Sequence, residues 1–441
     1  MLKTDAVVNA TISAPLRLYW AFRTSLTCET KITPVLHQRL TELHIIKRRY
    51  ALNRLFAMHT IGIHKVMKQL ISLFYWMGIW YRGDVPTVRE TRIRTFYFCY
   101  FLLTNASVII GAITSENIDE SIFLVSEAIL SVILSVKLWI LIWKQKEILE
   151  LLDRICVFSI RYDEDVAFFN KKLGKLMKFV VAFLLGAFVI CMATIIVTPC
   201  FTRQFLVDIA FPLDYKNNDV AFWIQYVFLV TEMGLVSISV AVTPIIWYLM
   251  YNCSLRYEVL GKEVERMGRS IDNGKKKKSK KEKHQVFFQD LRVAIDTQLH
   301  LKELIDELAS FASNLFLIKF GTSGMSICGS VYSLAYYVSD VSVETLYHIY
   351  TIFYYVFELF MITYFGNEIM LCNSRLSYSL FESDWIEQPQ LTQKCIIIFR
   401  EYLKQPQVLV IGKLYPLTLE SFTRILNSAY SLFNILKNTK Q

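Results

Sequence analysis

Apolar segments of roughly 20 residues recur along the whole chain, separated by shorter polar segments. A helix of about 20 apolar residues is what the hydrocarbon core of a bilayer requires. The pattern therefore predicts an all-α, polytopic membrane protein with seven transmembrane helices, of which the last is interrupted by polar residues. The predicted spans are Phe96–Thr114, Ile122–Trp143, Phe179–Val197, Val220–Met250, Leu315–Val338, Tyr347–Phe365 and Leu417–Leu436.

Basic residues are distributed unequally between the segments that connect these spans. The segment before the first span contains 15 lysine and arginine residues. The second, fourth and sixth connections between spans contain 8, 13 and 4, whereas the first, third and fifth contain 0, 2 and 0. Connections rich in lysine and arginine stay in the cytoplasm. The sequence therefore predicts a cytoplasmic N-terminus and an extracellular C-terminus.

Composition and motifs then narrow the class of function. The chain has 441 residues, 54% of them apolar, and its net charge of +10 comes from the loop asymmetry and one lysine run. This is not the footprint of a nucleic-acid-binding protein. The sequence contains no Walker loop, GxGxxG, HExxH or CxxC motif. We therefore expect no enzyme, no cofactor and no metal site.

The chain divides into an N-terminal cytoplasmic segment (1–95), the first six spans (96–365) and a C-terminal region (366–441) with cytoplasmic anchor helices and the seventh span. In the N-terminal segment, the amphipathic stretch Met67–Tyr81 is predicted to lie along the cytoplasmic face of the membrane. Trp76, Trp80 and Tyr81 would be its interfacial anchors. An eighth short span is the alternative.

The largest cytoplasmic connection covers residues 251–314 and contains the lysine run GKKKKSKKEKH (Gly274–His284). Like charges repel one another, so the run is predicted to be disordered. We interpret the run as a solvated loop. The alternatives are that it contacts anionic lipid or binds calmodulin. The following stretch, Val286–Phe316, has helical spacing and is predicted to continue into the fifth span.

The seventh span is polar along one side. Its polar residues recur every three to four positions, and Ile435 lies at the edge of the stripe. Such a stripe cannot face lipid, so it faces either other helices of the same subunit or water in a central pore. In the second interpretation Ile435 would form an apolar ring that gates by dewetting. The predicted pore residues are Glu420, Arg424, Asn427, Ser428, Ser431, Ile435 and Asn438.

Aromatic side chains are dense in the outer half of the sixth span, where the ligand pocket is predicted. Together with residues of the second, third and fourth spans they could form an apolar pocket with a few hydroxyl groups, suited to a small volatile or lipophilic ligand. Packing of the protein core is the alternative. The predicted ligand-binding residues are Glu127, Leu130, Met192, Ile195, Trp223, Tyr226, Tyr347, Tyr350 and Tyr354.

Other ionisable residues also fall within the spans. Lys137 and Lys319 lie near cytoplasmic ends, where their side chains could extend to the membrane surface. Glu232 and Glu358, like Glu127, could bind a polar group of a ligand or line an ion path. The alternative for each is a protonated carboxyl that forms a hydrogen bond between helices.

Two segments near the C-terminus carry a resemblance to a known family. They are TYFGNEIMLCNSRLSYSLFESDW (Thr363–Trp385) and GKLYPLTLESFTRILNSAYSLFNIL (Gly412–Leu436). They resemble the C-terminal signature of insect odorant receptors, in which an FGxE element ends the sixth span. A Trp-containing element follows it, and a PLTLxxF element opens the seventh span. Span number, orientation and approximate length match over the rest of the chain.

The resemblance implies an odorant-gated, non-selective cation channel in the plasma membrane of a sensory dendrite. It implies a heterotetramer with a shared co-receptor subunit, ligand binding among the second, third, fourth and sixth spans, and a pore constriction at Ile435. The polar tail Lys437–Gln441 differs from that of the co-receptor, which indicates a ligand-tuning subunit. A metabotropic seven-helix chemoreceptor and a gustatory receptor channel are the alternatives.

Overall fold

Helices make up almost all of the structure, a computed structural model that describes residues 59–83, 85–115, 118–193, 198–203, 205, 218–269, 279–336, 343–405, 407–412 and 415–440. In chain order the helices are α1 (Lys65–Trp76), α2 (Val88–Thr114), α3 (Ile118–Trp143), α4 (Gln145–Cys156), α5 (Asp163–Cys191), α6 (Thr198–Thr202), α7 (Asp219–Val240), α8 (Val242–Glu265), α9 (Lys280–Tyr336), α10 (Val343–Glu382), α11 (Gln390–Leu403) and α12 (Leu419–Lys440). Two antiparallel strand pairs accompany them, β1 (His59–Ile61) with β2 (Phe158–Ile160) and β3 (Val410–Ile411) with β4 (Tyr415–Pro416).

Within the described residues, five helical segments are long and apolar enough to cross a membrane: Val88–Thr114, Ser121–Trp143, Asp163–Ile190, Asp219–Glu265 and Thr345–Glu382. The fourth of these joins α7 and α8. The predicted fifth and seventh spans lie on α9 and α12, which carry more small and polar residues. The architecture is that of a helical polytopic membrane protein. The strand pairs were not predicted, because two or three residues are too few for a period-2 pattern.

Helix α8 forms the centre of the bundle. Trp247, Tyr248 and Met250 are fully buried. The indole ring of Trp247 lies 5.2 Å from the ring of Phe183 on α5 and 6.1 Å from that of Phe357 on α10. These contacts hold three helices that are distant in sequence around one apolar centre.

Helix α9 continues without a break from the predicted cytoplasmic region into the fifth span, as the sequence predicted. The Ser279 hydroxyl accepts a hydrogen bond from the Glu282 N–H, and the Glu282 carboxylate accepts one from the Ser279 N–H. This reciprocal pair caps the helix. Residues 280–284 of the lysine run are therefore helical, and the prediction of disorder was wrong for them. Residues 274–278 lie outside the described part of the chain.

The amphipathic stretch near the N-terminus ends earlier than predicted. Helix α1 stops at Trp76, and Gly78 (φ +71°) reverses the chain, a backbone conformation that favours glycine. Trp80 is consequently folded back under Phe74 and is fully buried, with its Nε1–H donating to the Leu141 carbonyl at 2.8 Å. The prediction that Trp80 anchors the membrane surface was wrong. Trp76, in contrast, is 82% exposed.

The two C-terminal sequence elements contact each other directly. A Cβ atom added to Gly366 would lie 2.5 Å from Leu417 Cγ and 2.6 Å from the Leu417 carbonyl oxygen. Leu417 is fixed by its own N–H, which donates to the Leu409 carbonyl at 2.7 Å. Only a glycine at position 366 therefore lets the β3–β4 hairpin pack against α10 and set the start of α12.

The Trp-containing element also has a structural role. The Asp384 N–H donates to the Met267 carbonyl at 3.2 Å. Trp385 packs against a buried cluster that includes Leu260 and Phe287. Helix α10 ends at Glu382, just before this element, and α11 begins at Gln390, just after it. The element thus joins the ends of α8, α9 and α10.

Candidate functional site

A cavity of about 160 Å³ lies among α2, α3, α5, α7 and α10. Its wall is mainly apolar, and its polar residues come from α3, α7 and α10. The apolar lining residues are Val108, Leu130, Leu134, Ala187, Ile190, Pro199, Phe205, Leu229, Met233, Val236 and Val240. The polar ones are Glu127, Ser131, Glu232, Tyr347, Tyr350, Thr351, Tyr354 and Tyr355.

Helix α10 provides the aromatic side of the cavity. Tyr347, Thr351 and Tyr354 are spaced four and three residues apart, so they lie on one face of the helix. The rings of Tyr350 and Tyr354 are 6.2 Å apart, and the ring of Tyr354 stacks on Phe183 of α5 at 5.8 Å. The stacked rings fix this wall in position.

Five predicted ligand-binding residues line the cavity: Glu127, Leu130, Tyr347, Tyr350 and Tyr354. The cavity also lies among the second, third, fourth and sixth spans, where the resemblance places the ligand. Ligand binding by these five residues stays a prediction.

Three other predicted residues do not line the cavity. Met192 is 38% and Trp223 53% exposed. Tyr226 packs against Trp223 at 5.4 Å and accepts a hydrogen bond from the Cys200 thiol at 3.5 Å. The part of α7 that reaches the cavity begins one turn later, at Leu229. Ile195 lies outside the described residues.

Some cavity residues were missed in the predicted pocket. Ser131 follows Glu127 by four residues and Thr351 follows Tyr347 by four, so helical spacing from the predicted residues could have identified both. For Glu232 the sequence leaves three interpretations open: it binds a polar group of a ligand, lines an ion path, or forms a hydrogen bond between helices. No local signal distinguishes its side of α7 from the others, because that helix is apolar all round.

A buried ionic cluster lies about one helical turn from the cavity along α10. The Glu358 carboxylate accepts hydrogen bonds from the Lys137 ammonium and the Thr243 hydroxyl, each at 2.8 Å, and forms an ion pair with Lys319. All four side chains are buried. The prediction that the two lysines extend to the membrane surface was wrong, because Glu358 holds both inside the bundle.

The polar stripe of α12 lies on the outside of the subunit. The opposite side of the helix packs on α9 and α10, where Ala429 is buried beside Ile327 and Tyr355. The stripe therefore does not pack against other helices among the described residues of its own subunit. The predicted pore residues of the stripe are all exposed: Glu420, Arg424, Asn427, Ser428, Ser431, Ile435 and Asn438.

Local contacts within the stripe are those of a solvated helix face. Arg424 and Glu420 form an ion pair one turn apart, at 2.6 Å. The hydroxyls of Ser428 and Ser431 donate to carbonyls four residues earlier, each at 2.9 Å. Ile435 is 62% exposed, as a large apolar residue at the end of this polar face.

Comparison with solved structures identifies the fold. Olfactory receptor OR5 from the insect Machilis hrabei matches with a TM-score of 0.68 at 14% sequence identity, over 83% of this chain and 99% of that one. The same receptor in complex with eugenol matches with a TM-score of 0.69 at 11% identity, over 85% and 98% of the two chains. The prediction of an all-α, polytopic membrane fold is confirmed.

Comparison of sequences identifies the family. Odorant receptor 94a of Drosophila melanogaster is 23% identical over 229 residues, which are 52% of this chain and 56% of that receptor. The match thus spans just over half the length of that relative. The sequence model described as 7tm Odorant receptor matches residues 117–430, which include the first C-terminal element and the second one as far as Tyr430. The chain belongs to the insect odorant receptor family.

Proposed function

We propose that this chain is the ligand-tuning subunit of an odorant-gated, non-selective cation channel. It assembles with a co-receptor subunit as a heterotetramer in the plasma membrane of a sensory dendrite. A small volatile or lipophilic molecule binds in the cavity, and α12 lines the pore that opens. One observation carries the proposal: Tyr355 lines the cavity and packs against Ala429 of α12.

This contact gives a short physical path from ligand to pore. Tyr354 and Tyr355 are adjacent on α10, and both belong to the small apolar cluster that contains Ala429 and Leu426 of α12. Packed clusters of this kind change between discrete arrangements more readily than they deform gradually. A ligand that displaces either ring would therefore shift α12.

The exposed stripe supports the pore assignment. A polar helix face of this length is unstable against lipid, since each unpaired polar group in hydrocarbon costs several kcal/mol. Placed around the axis of an oligomer, the stripe would instead face water. Ile435 would then form the apolar constriction.

The proposal is tested by whole-cell recording from cells that express the chain with and without a co-receptor, across an odour panel. We expect odour-evoked cation currents only with the co-receptor, and we expect them to persist when G proteins are blocked from inside the cell. Responses abolished by the G-protein block would favour the metabotropic alternative.

The path from cavity to pore is tested with Tyr355→Ala. We expect it to abolish odour-evoked current and to spare the current evoked by an agonist of the co-receptor. The control is Tyr378→Ala, on the same helix but 70% exposed, which should leave both currents unchanged. Odour-evoked currents of normal size in Tyr355→Ala would contradict the path.

A further inference from the structure

The polar groups of the cavity are unbalanced in charge. Two carboxyl groups, Glu127 and Glu232, line it together with four tyrosines. No lysine, arginine or histidine occurs among the described residues of its wall. Lys319 touches the wall from behind, 4.7 Å from the Tyr355 ring centre, but its charge is paired with Glu358.

Two acidic groups are costly in this environment. Around them the wall is apolar or aromatic, and it lies within helices long enough to cross the membrane. A carboxylate in such a place needs a cation or must take up a proton. Since the described wall supplies no cation, a cationic ligand is the partner that would let the two groups keep their charge.

From this charge imbalance we infer that the cavity is selective for a small organic amine in its protonated form. The inference rests on the function proposed above and names the ligand class of that same cavity. An ammonium group would lie between Glu127 and Glu232, and the aromatic walls would contact its apolar part. Tyrosine faces such as those of Tyr350 and Tyr354 also attract cations directly.

The size and lining of the cavity define the ligand further. An apolar cavity of about 150 Å³ holds one benzene molecule, so about 160 Å³ suits an amine with a single ring or a short chain. A hydrated metal ion would need oxygen ligands on most sides, whereas most of this wall is hydrocarbon. Benzylamine fits these requirements, and benzyl alcohol is its neutral counterpart of nearly equal shape.

The test compares benzylamine with benzyl alcohol on cells that express the chain with a co-receptor. We expect the amine to evoke half-maximal current at a concentration about tenfold lower than the alcohol. Glu127→Gln or Glu232→Gln keeps the shape of the wall and should reduce this preference about tenfold. Glu387→Gln, exposed on the predicted cytoplasmic side, is the matched control and should keep the wild-type preference.

Because the readout is a ratio of two ligands, a variant with less surface protein or weaker gating remains informative. Equal potency of the two ligands in wild type would overturn the amine inference and leave the proposed receptor function intact. A preference unaffected by both glutamine variants would also overturn it. If neither ligand evokes current while other odours do, the amine inference fails and the proposed function stands. If no odour of the panel evokes current while a co-receptor agonist does, the proposed function fails as well.

Binding can be measured without any channel activity. The purified full-length chain in detergent should show a higher midpoint of thermal unfolding with benzylamine than with the same concentration of benzyl alcohol, because a ligand that binds only the folded state stabilises it. The difference should vanish in Glu127→Gln and Glu232→Gln. Equal shifts with both compounds in wild type would overturn the inference independently of the recordings.

Discussion

The Glu358 carboxylate and the Lys137 ammonium form an ion pair at 2.8 Å in which both side chains are almost completely buried. Lys319 pairs with the same carboxylate from α9, and the Thr243 hydroxyl donates to it from α8. One anion therefore holds together four helices, α3, α8, α9 and α10. Charge inside a membrane bundle is stable only when it is paired, so each partner is required by the others.

Replacing Glu358 by glutamine would leave two buried ammonium groups without an anion. Removing one partner of a buried ion pair commonly costs about 3–5 kcal/mol, so we expect loss of folded protein. The measurement is the monodisperse peak on fluorescence-detected size-exclusion chromatography. Glu382→Gln is the control, since that residue lies exposed at the end of the same helix. Normal yield of Glu358→Gln would show that the cluster contributes little to folding.

Gly366→Ala is expected to separate α10 from the hairpin that leads into α12. The new methyl group would overlap Leu417, whose backbone oxygen cannot move aside. Overpacking of this kind costs about 1–3 kcal/mol, and we expect a lower midpoint of thermal unfolding in detergent. Gly321→Ala, where a Cβ meets nothing within 4 Å, should be neutral or stabilising. An unchanged midpoint in Gly366→Ala would contradict the tight contact.

Cysteine accessibility tests the position of α12 relative to the pore. Ser431→Cys and Ile435→Cys should react with a water-soluble thiol reagent in the open state and alter the current, because both positions are exposed on the stripe. Ala429→Cys should not react, because Ala429 is buried against α9 and α10. Reaction at all three positions, or at none, would mean that α12 does not line the conduction path.

We expect the stability of the start of α1 to depend on pH through His64. Its Nδ1 accepts a hydrogen bond from the Val66 N–H at 3.3 Å, and burial lowers the pKa of its ring. As pH falls through about 6.5, the unfolded chain takes up a proton that the folded chain resists, so the free energy of unfolding decreases.

His64→Asn keeps a side-chain acceptor at this cap and removes the titration. We expect the variant to lose less stability than wild type between pH 7.5 and 5.5, by about 1 kcal/mol or less. Thermal unfolding of both proteins at the two pH values measures the difference. A parallel loss in both would show that other groups determine the pH dependence.

Orientation is tested with epitope tags. An antibody should reach a tag at residue 1 only after the cells are permeabilised, and a tag at residue 441 without permeabilisation. The physical reason is the alternation of basic residues between the connections. Labelling of the tag at residue 1 on intact cells would overturn the cytoplasmic N-terminus, and with it the position of the cavity toward the outside.

The sequence alone was sufficient for the helices, their membrane character and the stripe of α12. These depend on local quantities, namely the length of apolar segments and the 3.6-residue period, which hold whatever the neighbouring helices are. The continuation of the helix Val286–Phe316 into the fifth span was likewise predicted from local pattern. The cavity residues Tyr347, Tyr350 and Tyr354 were predicted in the same way, because they share one side of a single helix.

The tertiary structure decided which residues meet across helices. The turn at Gly78 places Trp80 in the core and not at the membrane surface, and Glu358 lies between the two lysines and holds both inside the bundle. Trp223 and Glu232 lie on the same apolar helix, yet only Glu232 reaches the cavity. A helix that is apolar all round carries no signal for its rotation, so that rotation is set by packing against its neighbours.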